Sequence, residues 1–328
     1  MHRGIVDGPI EARLVGDGHS NLTFLVDDGE RQVVVRRPPP PPLPKGGHDV
    51  LREARVMAGL RRTDVPVPEV LAVAPAGEVF DVPCFVMTYV PGAVVTTSTP
   101  APLDRPGVRR ALGHAVVDAL VALHGVDPAS YGLADFGRPE GFNARHVQRL
   151  RTLVTAPDAE PPPGFAGIDA WLTANVPAES DHRLVHLDFR LGNLLLAPTP
   201  PAQVAAVLDW ELSTLGDPLW DVGYLLASWP VPGEPMTPVS ELGSAVLETG
   251  WPTRGELAAR YAEASGRSLD SLTWYVAAGQ WKLAVLYEYG RRRAAGGHGD
   301  PYYADPRLVH QFLAAAHRAA GLEAPARV

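Results

Sequence analysis

The chain has 328 residues, of which 46% are hydrophobic and 20% are charged, so it carries enough apolar material for a buried core and is not disordered as a whole. Its 29 Lys and Arg residues against 37 Asp and Glu residues give a net charge of −8, which argues against nucleic acid as a partner. The single cysteine, Cys84, excludes an internal disulfide. The sequence has no signal-like or membrane-spanning apolar stretch, which predicts a cytoplasmic protein that does not bind a membrane. No obligate protein partner is predicted.

The first ninety residues predict a small β-rich unit that contains one helix. Apolar residues three and four positions apart over 48–61 predict the helix, which follows a proline-rich connector at 38–44. Pro91 and Gly92 then predict a chain reversal or hinge at about 88–92. Runs of β-forming residues separated by turn residues predict five strands, at 12–15, 22–26, 32–37, 70–74 and 84–89.

The rest of the chain predicts a larger and mainly helical unit. A compact β-like block at 183–209 interrupts the helices and supplies one short strand pair. The sequence therefore predicts an α+β fold of two lobes, a small β-rich lobe at 1–90 and a larger, mainly helical lobe at 91–328. The predicted helices of the larger lobe are 108–124, 142–155, 168–175, 219–228, 238–247, 255–263, 272–292 and 306–320.

Four polar side chains follow apolar, strand-like runs within the β-like block. His186 and Asp188 come at the end of one run, and Asn193 ends the short loop that follows. Asp209 comes directly after a second apolar run, at 204–208. Polar groups in such places are costly unless they form hydrogen bonds or bind a ligand. A carboxylate and an amide oxygen suit a hard cation such as Mg²⁺, and a second carboxylate is then left to orient a nucleophile.

Two other interpretations of these residues stay open. A turn or cap hydrogen bond explains any one of them equally well, although it is a poor explanation for all four together. A metal-dependent hydrolase would use several histidines or carboxylates as ligands, and only His182 and His186 offer imidazoles nearby.

Three further polar residues have structural interpretations. Asp217 precedes Pro218, a pair typical of a helix start, so Asp217 is predicted to cap the helix at 219–228. Asp221, one turn later, is predicted to anchor the nearby loop by hydrogen bonds. His124 ends an apolar helix and is predicted to be a core or capping histidine.

The motif His-x-Asp-x-x-x-x-Asn at 186–193, followed by Asp-Trp-Glu at 209–211, resembles the catalytic and metal-binding loops of the aminoglycoside phosphotransferase family. Members of this family are small-molecule kinases with a protein-kinase-like fold, and the resemblance implies that fold here. The similarity covers roughly 12–225 and fades in the C-terminal helices. The segment 207–218 is most similar to the branch related to the phosphotransferase domain that is fused to acyl-CoA dehydrogenases.

The resemblance implies an enzyme that transfers the γ-phosphoryl group of ATP to a hydroxyl of a small molecule, with ATP and Mg²⁺ as cofactors. Asp188 would orient the acceptor hydroxyl and accept its proton, while Asn193 and Asp209 would hold Mg²⁺. His186 would brace the loop. The residues implied to bind the nucleotide are Gly18, Ser20 and Asn21 in the turn over the phosphates, Arg36 and Glu53 as an ion pair, and Met87, Thr88 and Val90 around the adenine.

Two residues depart from the family pattern. Arg36 stands where the family commonly has lysine, and its planar guanidinium is not a neutral replacement. The alternative function is therefore a nucleotide-binding module without efficient turnover, and the alternative placement is an Arg36 that points to solvent and pairs only loosely with Glu53. Leu187 replaces the usual glycine between the His and the Asp, and could narrow the acceptor pocket.

The acceptor itself stays open between antibiotics and metabolites such as hydroxy acids or amino alcohols. Three segments of the helix at 272–292 and its end, 281–282, 287–288 and 291–293, either line an acceptor site or form the charged face of an amphipathic helix.

Overall fold

The computed structural model describes residues 4–6, 8–16, 21–40, 49–101, 103–155, 160–197, 201–297 and 299–323. Its strands are β1 (Glu11–Leu14), β2 (Leu22–Asp27), β3 (Gln32–Arg37), β4 (Val70–Ala74), β5 (Cys84–Thr88), β6 (Arg183–Val185), β7 (Leu194–Leu196), β8 (Val204–Val207) and β9 (Thr214–Gly216). Its helices are α1 (Val50–Leu60), α2 (Pro106–Gly125), α3 (Phe142–Arg151), α4 (Phe165–Ala174), α5 (Leu219–Ser228), α6 (Pro238–Glu241), α7 (Arg254–Ser265), α8 (Leu272–Ala295) and α9 (Pro306–Ala319). The predicted α+β fold is confirmed, with a small β-rich lobe followed by a larger helical lobe.

The first five strands form one antiparallel sheet in the order β1-β2-β3-β5-β4. The β2–β3 hairpin turns at Gly29, which has a φ of 89°. The Asp27 carboxylate accepts the Gly29 N–H at 2.8 Å and closes the turn. A side chain would strain this left-handed conformation, so the Asp-Gly sequence forms the tight turn that it predicts. The predicted proline connector lies outside the described residues from residue 41 onward.

Helix α1 packs against β4 and β5 and also contacts the larger lobe. The Asp49 side chain caps the helix by accepting the N–H of Arg52 at 3.0 Å. The Arg52 guanidinium donates to the carbonyls of Phe136 and Ser213 and lies 3.7 Å from the centre of the Phe136 ring. Glu53, 2% exposed, is on the buried face of α1, where it reaches the end of β3.

The chain crosses into the larger lobe beside β7. Ala93 donates to the Leu196 carbonyl at 2.8 Å and accepts the Leu196 N–H at 2.9 Å. A Cβ on Gly92 would lie only 2.8 Å from the Cβ of Leu195, so this approach requires glycine. The predicted hinge segment is therefore attached to the strand that directly follows Asn193.

Helix α8 runs through the larger lobe and packs against α5 and α9. The largest fully buried side chains on it or against it include Trp220, Tyr275, Trp281 and Phe312. Among the described residues, no helix has both the length and the apolar character that a bilayer span requires.

The structure corrects two predictions for the larger lobe. Strand β6 pairs with β9 and β7 pairs with β8, so there are two short strand pairs where one was predicted. Strand β9 has three residues, too few to show a periodic pattern. The helix predicted at 238–247 is the single turn α6 followed by a separate 3₁₀ turn, Ser244–Leu247, because Gly243 leaves the helical conformation with φ −109° and ψ 13°.

Candidate active site

The loop between β6 and β7 is held by the carboxylate of Asp221, which projects from α5. Asp221 accepts the backbone N–H of His186 at 2.7 Å and that of Leu187 at 2.6 Å. The Asp221 side chain has no exposed surface, and the Nε2 atom of His124 lies 3.1 Å from it. Burial acts to raise the pKa of Asp221, but the hydrogen bonds from His124 and from the loop outweigh it, so this pKa lies below its usual value. The predicted anchoring role of Asp221 is confirmed.

His186 braces the same loop from inside. Its Nδ1 atom lies 3.1 Å from the backbone nitrogen of Asp188, and its Nε2 atom lies 2.9 Å from the carbonyl oxygen of Leu208. A backbone N–H can only donate, so Nδ1 accepts, and Nε2 therefore carries the proton that it donates to Leu208. The predicted bracing role of His186 is confirmed.

Asp188 and Asn193 are brought into direct contact. The amide Nδ2 of Asn193 donates to the backbone carbonyl of Asp188 at 2.8 Å and to its Oδ2 atom at 2.6 Å. A 3₁₀ turn, Leu191–Asn193, brings the two residues together. Both amide hydrogens of Asn193 thus point at Asp188, which leaves the Oδ1 atom of Asn193 directed elsewhere.

Asp209 follows the neighbouring strand β8 and is adjacent to Asn193. The Leu208 N–H donates to the Asn193 carbonyl at 2.8 Å, so the β7–β8 pairing continues to the point where Asp209 begins. Asp209 has a φ of 67°, a left-handed conformation that few residues with a side chain adopt. Its side chain is 28% exposed.

Arg36 links the sheet to both α1 and Asp209. Its Nε atom donates to Glu53 Oε2 at 2.8 Å, and its Nη2 atom forms an ion pair with Asp209 Oδ1. The Arg36 side chain is 12% exposed, so the alternative in which it points to solvent is wrong. Burial lowers the pKa of Arg36, but the carboxylates of Glu53 and Asp209 outweigh it and raise that pKa above its usual value. Burial raises the pKa of Glu53 to about 7, against the lowering effect of Arg36.

The structure describes some of the other residues that were predicted to bind the nucleotide. Asn21 donates from Nδ2 to Glu211 at 2.9 Å. Gly18 and Ser20 lie outside the described residues. At the predicted hinge, Met87 is 7% exposed. The Thr88 N–H is already bonded to the Glu69 carbonyl at 2.9 Å, while Val90 lies beyond the end of β5.

The helix at 219–228 occurs where it was predicted, and Asp217 caps it from the residue before the N-cap position, which Pro218 occupies. Helix α5 begins at Leu219, and Asp217 Oδ1 accepts the Leu219 N–H at 2.9 Å. His124 is also as predicted, because it is fully buried and contacts Tyr261 OH at 2.7 Å through Nδ1.

Three further residues lie beside Asp188, and of these only Lys282 belongs to a segment that the sequence left open as a wall of the acceptor site. The Nε atom of Arg190 lies 3.8 Å from Asp188 Oδ1. Burial and the nearby Asp188 carboxylate raise the pKa of the Tyr224 hydroxyl well above its usual value. Lys282, 3% exposed, donates to the backbone carbonyl of Leu187. The one sequence signal for Lys282 is that it is a lone cation within an apolar helical stretch.

For the helix that carries Lys282, the sequence allowed two interpretations, a wall of the acceptor site or a charged surface. Trp281 is fully buried, with its ring centre 5.8 Å from that of Phe165. Glu288 is 1% exposed and is bonded to Arg291 and Arg292. These side chains form internal contacts rather than a simple solvated face.

The oxygen atoms of Asp209 and Asn193 are hard donors of the kind that Mg²⁺ prefers, and they come from adjacent strand ends, so the residues present fit this cation. Within the part of the chain that the structure describes, no three His, Cys, Asp or Glu side chains form a metal-binding group.

The small antiparallel sheet, the larger helical lobe, the His-x-Asp loop and the Arg36–Glu53 ion pair are the parts of a protein-kinase-like fold. The chain belongs to the phosphotransferase enzyme family, APH, whose family model matches residues 11–275.

Two curated relatives carry acyl-CoA dehydrogenase names. Acyl-CoA dehydrogenase family member 10 of Mus musculus is 32% identical over 291 residues, which cover 88% of this chain and 27% of the relative. Acyl-CoA dehydrogenase family member 11 of Gallus gallus is 32% identical over 291 residues, covering 85% of this chain and 36% of the relative. The chain thus spans about a third of the length of these relatives. The predicted similarity to the dehydrogenase-fused branch is confirmed.

Solved structures agree with the fold. A candidate aminoglycoside phosphotransferase from Ralstonia eutropha JMP134 is 28% identical, with a TM-score of 0.81, and the match covers 97% of this chain and 94% of that chain. A thermostable mutant of aminoglycoside phosphotransferase APH(4)-Ia, solved with AMP-PNP and hygromycin B, has a TM-score of 0.60 at 18% identity, covering 94% of this chain and 93% of that one. The second similarity concerns the fold alone.

Proposed function

We propose that this protein is an ATP-dependent small-molecule kinase that transfers the γ-phosphoryl group to a substrate hydroxyl. The observation that carries the proposal is a set of contacts. Asp188 is bonded to Asn193, Asn193 is bonded to Leu208 directly before Asp209, and Asp209 is paired with Arg36, which is in turn paired with Glu53. These residues would supply a positioned carboxylate, a pair of oxygen ligands and a cation, which are the parts that phosphoryl transfer requires.

Asp188 is the proposed catalytic residue. Its carboxylate would orient the acceptor hydroxyl and take its proton as the acceptor oxygen bonds to the γ-phosphorus. The bond from the γ-phosphorus to the bridging oxygen breaks at the same time, so the electron pair and the leaving group depart together as ADP. The Asn193 amide donates to Asp188 Oδ2 and fixes the direction of that carboxylate. Asp188 then returns the proton to solvent.

Asn193 and Asp209 are the proposed Mg²⁺ ligands, and the bound cation would neutralise the charge of the phosphates. On the nucleotide side, Arg36 would contact the phosphates and Glu53 would hold Arg36 in place. Met87 would lie behind the adenine, with backbone groups of Thr88 and Val90 at its edge; Thr88 would use its carbonyl, because its N–H is already bonded. AMP-PNP in the APH(4)-Ia structure supports nucleotide binding in this fold.

We further propose that 1–90 form the nucleotide-binding lobe and 91–328 the catalytic and acceptor-binding lobe. The pairing of Ala93 with Leu196 supports a boundary at this point, because the chain is already bonded to the larger lobe three residues later.

One observation favours a second candidate, a nucleotide-binding module without efficient turnover. Arg36 pairs directly with Asp209, a proposed cation ligand, so the guanidinium competes with the cation for that carboxylate. A module of this kind would bind nucleotide weakly in Mg²⁺ and transfer no phosphoryl group.

The proposal is tested with Mg²⁺-ATP, a panel of alcohols and the variant Asp188→Asn. We expect Mg²⁺-ATP to raise the melting temperature of both proteins, because Asn keeps the shape of the side chain. We expect acceptor-dependent ATP consumption to fall about 10²–10⁴-fold in the variant, which cannot accept the proton. Asp81→Asn is the matched control, since Asp81 is exposed on the loop before β5. No melting shift at millimolar Mg²⁺-ATP would refute the kinase, and binding without transfer across the panel would favour the module.

The panel should cover aminoglycosides, macrolides, amino alcohols and hydroxy acids. Hygromycin B, present in the APH(4)-Ia structure, is a reasonable first member for a protein of this fold.

A further inference from the structure

Leu187, between His186 and Asp188, has an uncommon backbone conformation. Its φ is 63°, and among the described residues Asp209 is the one other non-glycine with a positive φ. A leucine is strained there because its Cβ crowds the backbone. The Leu187 side chain is 5% exposed, so the residue is packed into the core and the strained turn directly precedes the proposed catalytic carboxylate.

The backbone of Leu187 is held from both sides. Its N–H donates to Asp221 Oδ1 at 2.6 Å, and its carbonyl accepts a hydrogen bond from the Nζ atom of Lys282. Lys282 comes from α8, which is distant in sequence, whereas Asp221 comes from α5. Two helices that pack against each other therefore fix the two polar groups of one strained residue.

The surroundings of Lys282 fit an ammonium group held for this purpose. The side chain is 3% exposed, and its Nζ atom lies 4.4 Å from the centre of the Tyr224 ring. Two of the 29 cationic residues in the chain are lysines, so arginine is the usual cation here and this buried position is an exception. A guanidinium has five donors and a larger head, and the carbonyl and ring face would leave several of those donors unsatisfied.

We propose that Lys282 is a positioning residue for the catalytic loop: its ammonium holds the Leu187 carbonyl, maintains the left-handed turn at Leu187, and thereby aims the Asp188 carboxylate. The effect on catalysis rests on the proposed kinase function, whereas the effect on the loop does not. The same contact accounts for how the chain keeps a leucine where the family usually has glycine, since glycine would need no such support.

The test separates backbone strain from the loss of a side chain. Lys282→Met is made in three proteins: the parent protein, Leu187→Ala and Leu187→Gly. Alanine and glycine both delete the leucine side chain, but glycine alone also removes the strain. Methionine has a similar length and leaves no charge at this buried position. Lys282→Gln, which keeps a donor without the charge, is the second variant.

The first measurement is hydrogen exchange of the 183–193 peptide, which needs no catalytic activity. We expect Lys282→Met to speed its exchange about tenfold or more in the Leu187→Ala protein and less than about threefold in the Leu187→Gly protein, with peptides of α2 unchanged. We expect Lys282→Gln to fall between. Equal acceleration in the alanine and glycine proteins, or no acceleration in either, would overturn the proposal.

The second measurement is steady-state ATP turnover. We expect Lys282→Met to lower kcat about tenfold or more in the alanine protein while the KM for ATP stays within about twofold, because a misdirected Asp188 affects the transfer step and not nucleotide binding. The loss in kcat should largely disappear in the glycine protein, and an equal loss in both would contradict the assigned role. The expected exchange pattern together with no turnover by any variant or by the parent protein would support the Lys282 contact and refute the kinase.

Discussion

Asp188 follows strand β6 and Asp209 follows strand β8, which belong to different strand pairs, and the protein holds the two residues in different ways. The Asp188 loop is fixed within the larger lobe, by backbone hydrogen bonds to the buried carboxylate of Asp221. Asp209 is bonded to the side chain of Arg36, which comes from the sheet of the smaller lobe. The first arrangement is complete once the larger lobe has folded. The second depends on how the two lobes meet.

This difference matches the demands of the proposed reaction. A group that accepts a proton benefits from a fixed direction, because no reorganisation is then needed during the reaction. A group that holds a cation must exchange one partner for another when Mg²⁺-ATP enters. Asp188 has the rigid support and Asp209, at 28% side-chain exposure, has the exchangeable one.

The largest expected effect comes from removing the rigid support. In the parent protein, the two carboxylate oxygens of Asp221 accept hydrogen bonds from His186, Leu187 and His124. Asp221→Asn replaces one of these oxygens by an NH₂ group, which then faces an N–H donor and cannot accept its hydrogen bond. We expect the free energy of unfolding to fall by about 3–5 kcal/mol in urea denaturation. Asp118→Asn makes the same chemical change in an exposed ion pair with Arg260 and should lose less than about 1 kcal/mol. Equal losses would show that the Asp221 contacts carry no special weight.

A smaller effect is expected from removing Arg36, the residue that pairs with Asp209. Arg36→Met leaves the buried Glu53 without its ion-pair partner. We expect the free energy of unfolding to fall by about 2 kcal/mol at pH 8. The loss should be smaller at pH 5, because the pKa of Glu53 is raised to about 7 and the carboxyl is then neutral. Arg36→Lys keeps one charge but cannot bridge both carboxylates, so it should bind Mg²⁺-ATP with less competition at Asp209. A loss of stability that is the same at both pH values would contradict this account.

The smallest expected effect is the pH-dependent loss of stability caused by the buried His146, which packs near Asp221. The ring centre of His146 lies 5.0 Å from that of Phe142 and 4.7 Å from that of Trp220, the neighbour of Asp221. Burial lowers the pKa of His146 to about 3, from 6.5 in the unfolded chain. The unfolded state therefore binds the proton more readily between these values, and stability is lost as the pH falls below 6.5.

This contribution is measured against His146→Phe, which stacks in the same place and does not titrate. Between pH 6 and pH 5, the parent protein should lose about 1 kcal/mol more than the variant in urea denaturation. Parallel curves for the two proteins would exclude His146 as the source of acid sensitivity.

The sequence predicts the parts of the site that one short segment contains. The 186–193 motif and Asp209 could be identified because all their members follow apolar strands within thirty residues. The contact of Arg36 with Asp209 and the three residues beside Asp188 depend on long-range packing. Lys282, for example, is 95 positions from Leu187, and no periodic pattern reports which carbonyl it reaches.

The same limit explains the errors in the fold. Five strands and most helices have periodic apolar patterns, and they occur close to where they were predicted. Strand β9 has three residues and pairs with β6, a partner about thirty positions earlier, so only the folded chain reveals it. The tight approach at Gly92 likewise depends on Leu195, which lies far along the chain.

The contacts of α1 with the larger lobe make the distance between Arg36 and Glu53 depend on how the two lobes are arranged. Helix α1 precedes the hinge in sequence, yet Arg52 ties it to the carbonyls of Phe136 and Ser213 in the larger lobe. If the sheet tilts away while these bonds persist, Arg36 travels with the sheet and Glu53 stays with the helix. The distance between Arg36 Nε and Glu53 Oε2, which is 2.8 Å here, would then increase as the two lobes separate.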